Sequence, residues 1–294
     1  MRLWIKSLLL FVAIFSAPLS ATISPALYEV TKGNQTSYFF GSVHMGEARY
    51  YPLPAAIEKR FSQADQLVME VNMQDEAAIQ AEMMQLMMLH GMYMDGTTLK
   101  QHLPKALYKE TVERAKRFGV PSASIDPLKP WAAALILAQA YYQSIGLDPN
   151  YGVDMYFSGL AKQKNKSVYG LETLTDQISA MMKLDAEGST MLQQMLDETK
   201  SNNSYTQRMM RAWAAGDSKL LASIFKEELG DTKADQLFVD HLLKKRNQAW
   251  LKQLKPMMSK SSLFVVVGAA HLVGPENLLD SLSANGYKVS KLAY

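Results

Sequence analysis

The motif Gly-x-x-His occurs twice in this chain, each time after a predicted buried strand, and this repetition limits the folds that the chain can adopt. Gly-Ser-Val-His at 41–44 follows Tyr-Phe-Phe at 38–40, and Gly-Ala-Ala-His at 268–271 follows Leu-Phe-Val-Val-Val at 263–267. These aromatic and β-branched runs predict buried strands that end in histidine-bearing loops. Because α/β proteins place their chemistry at strand ends, we expect the two ends of the chain to converge on one site.

Strands and helices are predicted to alternate at both ends of the chain. The predicted N-terminal elements are strands at 27–31 and 37–43, a helix at 54–64 and a strand at 66–71. The order strand, helix, strand favours a parallel pairing with a right-handed crossover, which places Glu70 near the same sheet edge as His44. The predicted C-terminal elements are a strand ending at His271, a helix at 275–284 and a strand at 287–292.

The middle of the chain, from residue 75 to about 254, is predicted to be chiefly helical. Helices are predicted at 104–118 and 131–142, the second apolar almost all round and therefore buried, and a strand at 166–171. These elements predict a single α/β domain over residues 22–294, with a mixed central sheet built from both chain ends and a large helical insertion between them.

The first 21 residues predict a secretory signal peptide. Arg2 and Lys6 precede an apolar stretch at 8–15, and small residues lead to Ala21. This stretch is too short to span a bilayer comfortably, although an uncleaved anchor is the alternative. We therefore expect a periplasmic or secreted protein with no stable membrane span after cleavage. Because the chain has no cysteine, its stability must come from a hydrophobic core and not from disulfides.

The charge pattern argues against a nucleic-acid partner. The formal net charge is +3, and lysines and arginines are scattered without an interleaved aromatic stripe. We expect a peptide or small-molecule substrate instead, and the sequence leaves the oligomeric state open.

Several short blocks, in this order, resemble the TraB/PrgY/GumN family. They are the phrase ending at His44, Leu53-Pro54, the strand ending at Glu70, Gly152-Val153-Asp154, Gly170-Leu171-Glu172-Thr173 with Gln177, Arg246-Asn247 with Trp250, and the phrase around His271. That family is similar to Tiki metalloproteases, erythromycin esterases and ChaN-like haem-binding proteins. The resemblance implies an α/β fold with an active-site cleft lined by two histidines and a glutamate.

The chemistry of His44, Glu70 and His271 agrees with that implication. Two imidazoles and a carboxylate can bind a divalent ion such as Mn²⁺, Co²⁺ or Zn²⁺ and leave room for water or substrate, as metal-assisted hydrolysis requires. A metal-free version uses His44 as general base, Glu70 to orient it and Arg246 to stabilise an oxyanion. Only the resemblance singles out Arg246, because its basic neighbours otherwise indicate a solvated helix face.

The remaining candidates have simpler interpretations. Asp154 and Glu172 are interpreted as structural ion-pair residues. The alternative is that they, like Asn247, hydrogen-bond to the site residues and orient them. A methionine-rich helix is predicted over 75–94, and its thioethers suit Cu(I). The helical spacing of the methionines explains them better as side chains that fill a core or cover a ligand groove. We expect this helix to act as a lid over the site. The histidines interpreted as surface or structural residues are His90, His102 and His241.

These observations predict a periplasmic hydrolase of peptide or ester bonds centred on His44, Glu70 and His271. A protein that binds haem or another small ligand without turnover is the competing interpretation. An accessory factor for envelope polysaccharide export is a third.

Overall fold

A six-stranded mixed sheet forms the centre of the computed structural model, which describes residues 23–201 and 204–294. The strands are β1 (Leu27–Lys32), β2 (Gln35–Ser42), β3 (Gln66–Met69), β4 (Ser167–Gly170), β5 (Leu263–Gly268) and β6 (Lys288–Lys291). They lie in the order β4-β3-β5-β2-β1-β6. β4, β3, β5 and β2 are parallel, whereas β1 pairs antiparallel with β2 and β6. The prediction of an α/β fold with a mixed central sheet is confirmed, although β4 comes from the middle of the chain and only the other five of these strands come from its two ends.

Helices fill the chain between the strands and cover the sheet. The α-helices are α1 (Ala55–Gln63), α2 (Glu76–His90), α3 (Leu99–His102), α4 (Lys105–Arg117), α5 (Ser122–Ile125), α6 (Pro130–Ser144), α7 (Val153–Gln163), α8 (Leu174–Met182), α9 (Gly188–Glu198), α10 (Tyr205–Ala214), α11 (Ser218–Glu228), α12 (Lys233–Leu237), α13 (Lys245–Met258), α14 (Ala270–Val273) and α15 (Leu278–Ala284). A π-helix (Phe238–Lys244) leads into α13, and short 3₁₀ turns occur at Ala48–Tyr50, Pro149–Tyr151 and Asp185–Glu187.

The predicted pairing of β2 with β3 is wrong, because β5 lies between them. Phe39 of β2 and Val68 of β3 both lie in register with Val265 of β5. All of β5 up to Val267 is buried, and a strand that is apolar on both faces belongs at the centre of a sheet. β2 and β3 nevertheless run in the same direction, so their carboxyl ends reach the same edge.

Alternating side chains of the central strands build one core on each face of the sheet. Phe40 and Phe264 pack on one face, under α1, α7, α10 and α11, where the Phe157 ring lies 4.9 Å from that of Phe264. Phe39 and Val265 pack on the other face, under α13, α14 and α15. The sheet is therefore the middle layer of three, and ligands can reach it only at its edges and strand ends.

The helical insertion has a core of its own. As predicted, α6 is buried on most of its surface, and it packs with α4 and α9 around Trp131 and Leu137. The methionines of α2 fill a core only in part, since Met87 packs against this cluster, whereas Met84 and Met88 expose 67% and 55% of their surface. Within residues 23–201 and 204–294, no helix is long and apolar enough to cross a membrane. The predicted signal peptide at 1–21 lies outside the described residues.

Candidate functional site

Polar side chains follow the carboxyl ends of the parallel strands and lie together at one edge of the sheet. His44 comes two residues after β2, Glu70 directly after β3, and Glu172 two residues after β4. β5 ends at Gly268, and His271 lies in the short helix α14, so the predicted extension of that strand to His271 is wrong. The carboxyl edge of parallel strands is where α/β sheets bind ligands.

Glu70 is a buried carboxylate held by hydrogen bonds from three neighbours. Its Oε1 accepts the Gly268 N–H at 2.7 Å, and its Oε2 accepts from Gln177 Nε2 at 3.0 Å and Arg246 Nη2 at 2.5 Å. Burial opposes ionisation, but the charges of His271, Arg246 and His44, with the Gly268 N–H, outweigh it and lower the pKa of Glu70 to about 2. Glu70 is therefore ionised at neutral pH.

Arg246 lies inside the protein and not on a solvated helix face. Its Nε and Nη2 donate to Glu172 at 3.1 and 2.7 Å, Nη2 also donates to Glu70, and Nη1 donates to the Leu242 carbonyl at 2.9 Å and to His271 Nε2 at 3.1 Å. The guanidinium also lies over the Trp250 ring, 4.7 Å from its centroid. Arginine has five N–H donors, and these bonds engage all of them.

The hydrogen bonds around His271 fix its tautomer. Asn247 Nδ2 donates to the Glu276 carbonyl at 2.8 Å, so Asn247 Oδ1 is the atom that faces His271 Nδ1 at 2.6 Å. Nδ1 therefore carries the proton, and Nε2 accepts from Arg246. Burial lowers the pKa of His271 to about 4, so the ring is neutral at pH 7.

His44 forms a second unit of the site with Asp154. His44 Nδ1 donates to Asp154 Oδ2 at 2.8 Å, while 70% of the histidine side chain is exposed. The Asp154 carboxylate raises the pKa of His44 to about 9, and water around the open ring screens this pair. Asp154, and not Glu70, orients His44, so the predicted orienting role of Glu70 is wrong. With Nδ1 engaged, Nε2 is the atom that His44 can offer to a substrate.

Three consecutive residues before and within α7 hold His44 in place. Val153 donates its N–H to the Val43 carbonyl at 2.9 Å, and Asp154 binds the imidazole. Gly152 lies so close to the His44 backbone that a Cβ there would be 2.5 Å from the His44 carbonyl oxygen. The Gly-Val-Asp block of the sequence thus acts as one clamp on the histidine loop.

The two units are electrostatically coupled. The charge of Glu70 raises the pKa of His44, and the charge of His44 lowers the pKa values of Glu70 and His271. The exposed His44 therefore lies within the field of the buried cluster formed by Glu70, Glu172, Arg246 and His271. The site therefore combines an exposed, basic imidazole with a buried cluster of charged side chains.

The predicted metal ligands fit an ion only in part. Both imidazoles bind a side-chain oxygen through Nδ1, which makes Nε2 the atom that would coordinate an ion and is typical of metal-bound histidine. However, His271 Nε2 and Glu70 Oε2 both face Arg246, a fixed cation. Among the described residues, no group of three His, Cys, Asp or Glu side chains surrounds a point that could hold an ion. In this arrangement His44, Glu70 and His271 do not form a complete metal site.

The other histidines form no hydrogen bond or ion pair with Glu70, Asp154, Glu172 or Arg246 in the described part of the chain, and His90 is the last residue of α2. The His102 ring stacks on Tyr93 at 4.0 Å and its Nε2 binds Thr97, whereas His241 lies in the π-helix, 3.6 Å from Asp240. Sequence reasoning did not identify the Gly268 N–H and the Leu242 carbonyl as partners, because backbone groups carry no signature in a sequence.

Comparison with known proteins identifies a family and two related sequences. The model of the TraB/PrgY/gumN family matches residues 26–291. The uncharacterized protein YbaP from Shigella flexneri and its counterpart from Escherichia coli (strain K12) are each 26% identical over 258 residues, which is 86% of this chain and 90% of theirs. No solved structure matches the chain significantly.

Proposed function

The chain belongs to the TraB/PrgY/gumN family, and from this premise we propose that it is a hydrolase of peptide or ester bonds that acts through His44. The observation that supports this most directly is the exposed His44 ring, tied to Asp154 at 2.8 Å. A carboxylate that holds Nδ1–H orients the ring and increases the basicity of Nε2, as a general base requires.

In this proposal His44 Nε2 moves the proton. It takes a proton from the attacking water while the oxygen bonds to the substrate carbonyl carbon. The resulting imidazolium then gives that proton to the leaving amine or alcohol as the carbon–heteroatom bond breaks. The Asp154 carboxylate stabilises the imidazolium between these two steps.

We assign the buried cluster a positioning role. Arg246 neutralises part of the charge of Glu70 and Glu172 and fixes the neutral tautomer of His271. A substrate oxyanion would have to displace one of these partners to reach the guanidinium. We therefore infer that Arg246 connects the residues that follow β3 and β4 to α14 and keeps them in position. The sequence had indicated a direct contact of Arg246 with an oxyanion, and the proposal replaces that contact by this positioning role.

A metal-dependent version of the proposal keeps Mn²⁺, Co²⁺ or Zn²⁺ as the cofactor and His44, Glu70 and His271 as ligands. It requires Arg246 to leave His271 Nε2 and Glu70 Oε2, since a cation already faces both atoms. A bound ion would supply a water of lowered pKa. Activity that EDTA abolishes and one of these ions restores would favour this version.

A ligand-binding protein without turnover is the second candidate. The buried cluster supports it, because every Arg246 donor already has a protein partner, while the exposed His44 Nε2 suits an axial ligand of haem. Its signature is a Soret band in the protein purified from the periplasm, the compartment that we propose from the N-terminal segment.

The experiment measures hydrolysis of a peptide and ester library by wild type, His44→Ala and the control His90→Ala, each with a thermal unfolding curve. We expect His44→Ala to lose activity by about 10² to 10⁴-fold with little change in Tm, since an exposed ring leaves no cavity. A wild type that hydrolyses nothing, with or without added metals, but binds ligand through His44 would replace the hydrolase by the binding protein.

A further inference from the structure

A cavity of about 290 Å³ lies between α6 and α9, which belong to the core of the helical insertion, and α10 and α11, which cover the sheet. Its walls come from α6, α9, α10, α11, α12 and the start of the π-helix, and its aromatic lining consists of Tyr142, Tyr205, Phe225 and Phe238. Phe225 packs on Gly274 so closely that a Cβ there would lie 3.3 Å from the ring. Gly274 follows α14, the helix that carries His271, so the cavity borders a segment of the candidate site.

The charged side chains that line this cavity are all acidic. Its lining, all within the described part of the chain, contains Glu198, Glu228 and Asp235 but no Lys, Arg or His. Glu198 accepts the N–H groups of two α10 residues at 3.0 and 2.9 Å, and Asp235 accepts from Gln194 at 3.1 Å. These contacts orient two of the three carboxylates without adding a positive charge.

Glu228 is the carboxylate that lacks such a partner. No hydrogen bond to it is found among residues 23–201 and 204–294, and the nearby Arg208 is paired with Glu227 at 2.5 Å. Glu228 is exposed at the rim of the cavity. Partial desolvation raises its pKa, the charges of Glu198, Glu227 and Asp235 raise it further, and Arg208 opposes them. A cation in the cavity would remove this repulsion.

We propose that the cavity binds a ligand with an apolar or aromatic body and a positively charged amine. The aromatic and aliphatic walls would bury the body, and Glu228 would pair with the amine at the rim. The volume is at the small end of ligand pockets, so it suits a group of about the size of one aromatic side chain. The cavity then selects substrates of the hydrolase that carry such a group, and this last step rests on the proposed function.

Calorimetric titration of the full chain with three matched probes tests the binding. Phenylbutylammonium, phenylbutanol and phenylbutyrate share one body and differ in charge. We expect the ammonium to bind about tenfold more tightly than the alcohol, and the carboxylate to bind more weakly than either. Equal affinities for the ammonium and the alcohol would overturn the charge complementarity.

Two variants connect the binding to this cavity. Glu228→Gln should reduce ammonium affinity by about three- to tenfold and leave alcohol affinity unchanged, whereas Ala138→Phe, which fills the cavity, should abolish both. The control Glu113→Gln, on the exposed side of α4, should change neither. Binding that is unaffected by Glu228→Gln and Ala138→Phe would show that the probes bind elsewhere.

The outcome of this binding experiment is independent of whether the protein is a hydrolase. Probe binding with the expected charge order, in a protein that hydrolyses nothing, would support the cavity and refute the hydrolase. His44-dependent hydrolysis without probe binding would support the hydrolase and refute the cavity.

Discussion

Replacing Asp154 by asparagine tests how His44 is activated. The substitution keeps the size of the side chain but removes the charge that raises the pKa of His44 from its ordinary 6.5 to about 9. It also places an amide, which can donate as well as accept, opposite Nδ1 and so weakens the preference for the Nδ1–H tautomer. Asp154→Asn therefore changes both the titration and the orientation of the base.

The pKa of His44 determines the size of the effect. With a pKa of about 9, only about 1% of His44 is neutral at pH 7, and activity should rise roughly tenfold per pH unit below the pKa. In Asp154→Asn the ascending limb should move down by about two units towards the ordinary imidazole pKa of 6.5, because the charge that raises the pKa is removed. The plateau should fall by about 10² to 10⁴-fold as the base becomes weaker and less well oriented.

The assay is the pH dependence of kcat/KM between pH 5 and 10 on one substrate from the library. Asp197→Asn, on the exposed side of α9, is the matched control and should leave the profile unchanged. A wild-type profile that falls across this range, or an Asp154→Asn profile whose limb stays in place, would refute His44 as a general base activated by Asp154.

Three further outcomes follow from the contacts of the site. Gly152→Ala should lower both activity and Tm, because its Cβ would lie 2.5 Å from the His44 carbonyl oxygen. Gly159→Ala, within α7, has open space and should be neutral or stabilising by about 0.5–1 kcal/mol. Arg246→Met should lower the free energy of unfolding in urea by about 3–5 kcal/mol, because it leaves buried carboxylates unpaired. Since folded His271, with a pKa near 4, binds a proton less readily than the unfolded chain, Tm should fall as pH drops from 6.5 towards 4.

Equal melting temperatures for the two alanine variants would show that the His44 loop tolerates the extra methyl group. Arg117→Met, at an exposed position of α4, should cost far less than Arg246→Met, and equal losses would contradict the buried ion pairs. A Tm slope between pH 6.5 and 4 that is the same in His271→Asn as in wild type would show that another group titrates.

The sequence predicted the elements that local patterns encode. The apolar runs before His44 and His271 gave the strands of both chain ends, and proline with helical periodicity located α4 and α6. The repeated Gly-x-x-His motif also predicted that His44 and His271 follow strands whose ends meet, and β2 and β5 are parallel neighbours. These predictions succeed because a strand or an amphipathic helix is specified mainly by residues within its own span.

Contacts between distant residues could not be predicted in the same way. His44 and Asp154 are 110 positions apart, and Arg246 and Glu70 are 176 apart. Packing of the start of α7 on the loop after β2, and of α13 on the sheet, places these partners together. β5, which lies between β2 and β3, is itself nearly 200 residues beyond β3. A single sequence carries no signal for such pairings when several carboxylates are available to each cation.

Composition and local pattern thus specified an α/β chain with histidine and glutamate at its strand ends. The folded arrangement alone shows that Arg246 is buried and satisfied, that His271 is neutral and that His44 is exposed beside Asp154. The physical reason is that protonation and role depend on burial and on the charges within a few ångströms, and packing, not sequence neighbourhood, sets both.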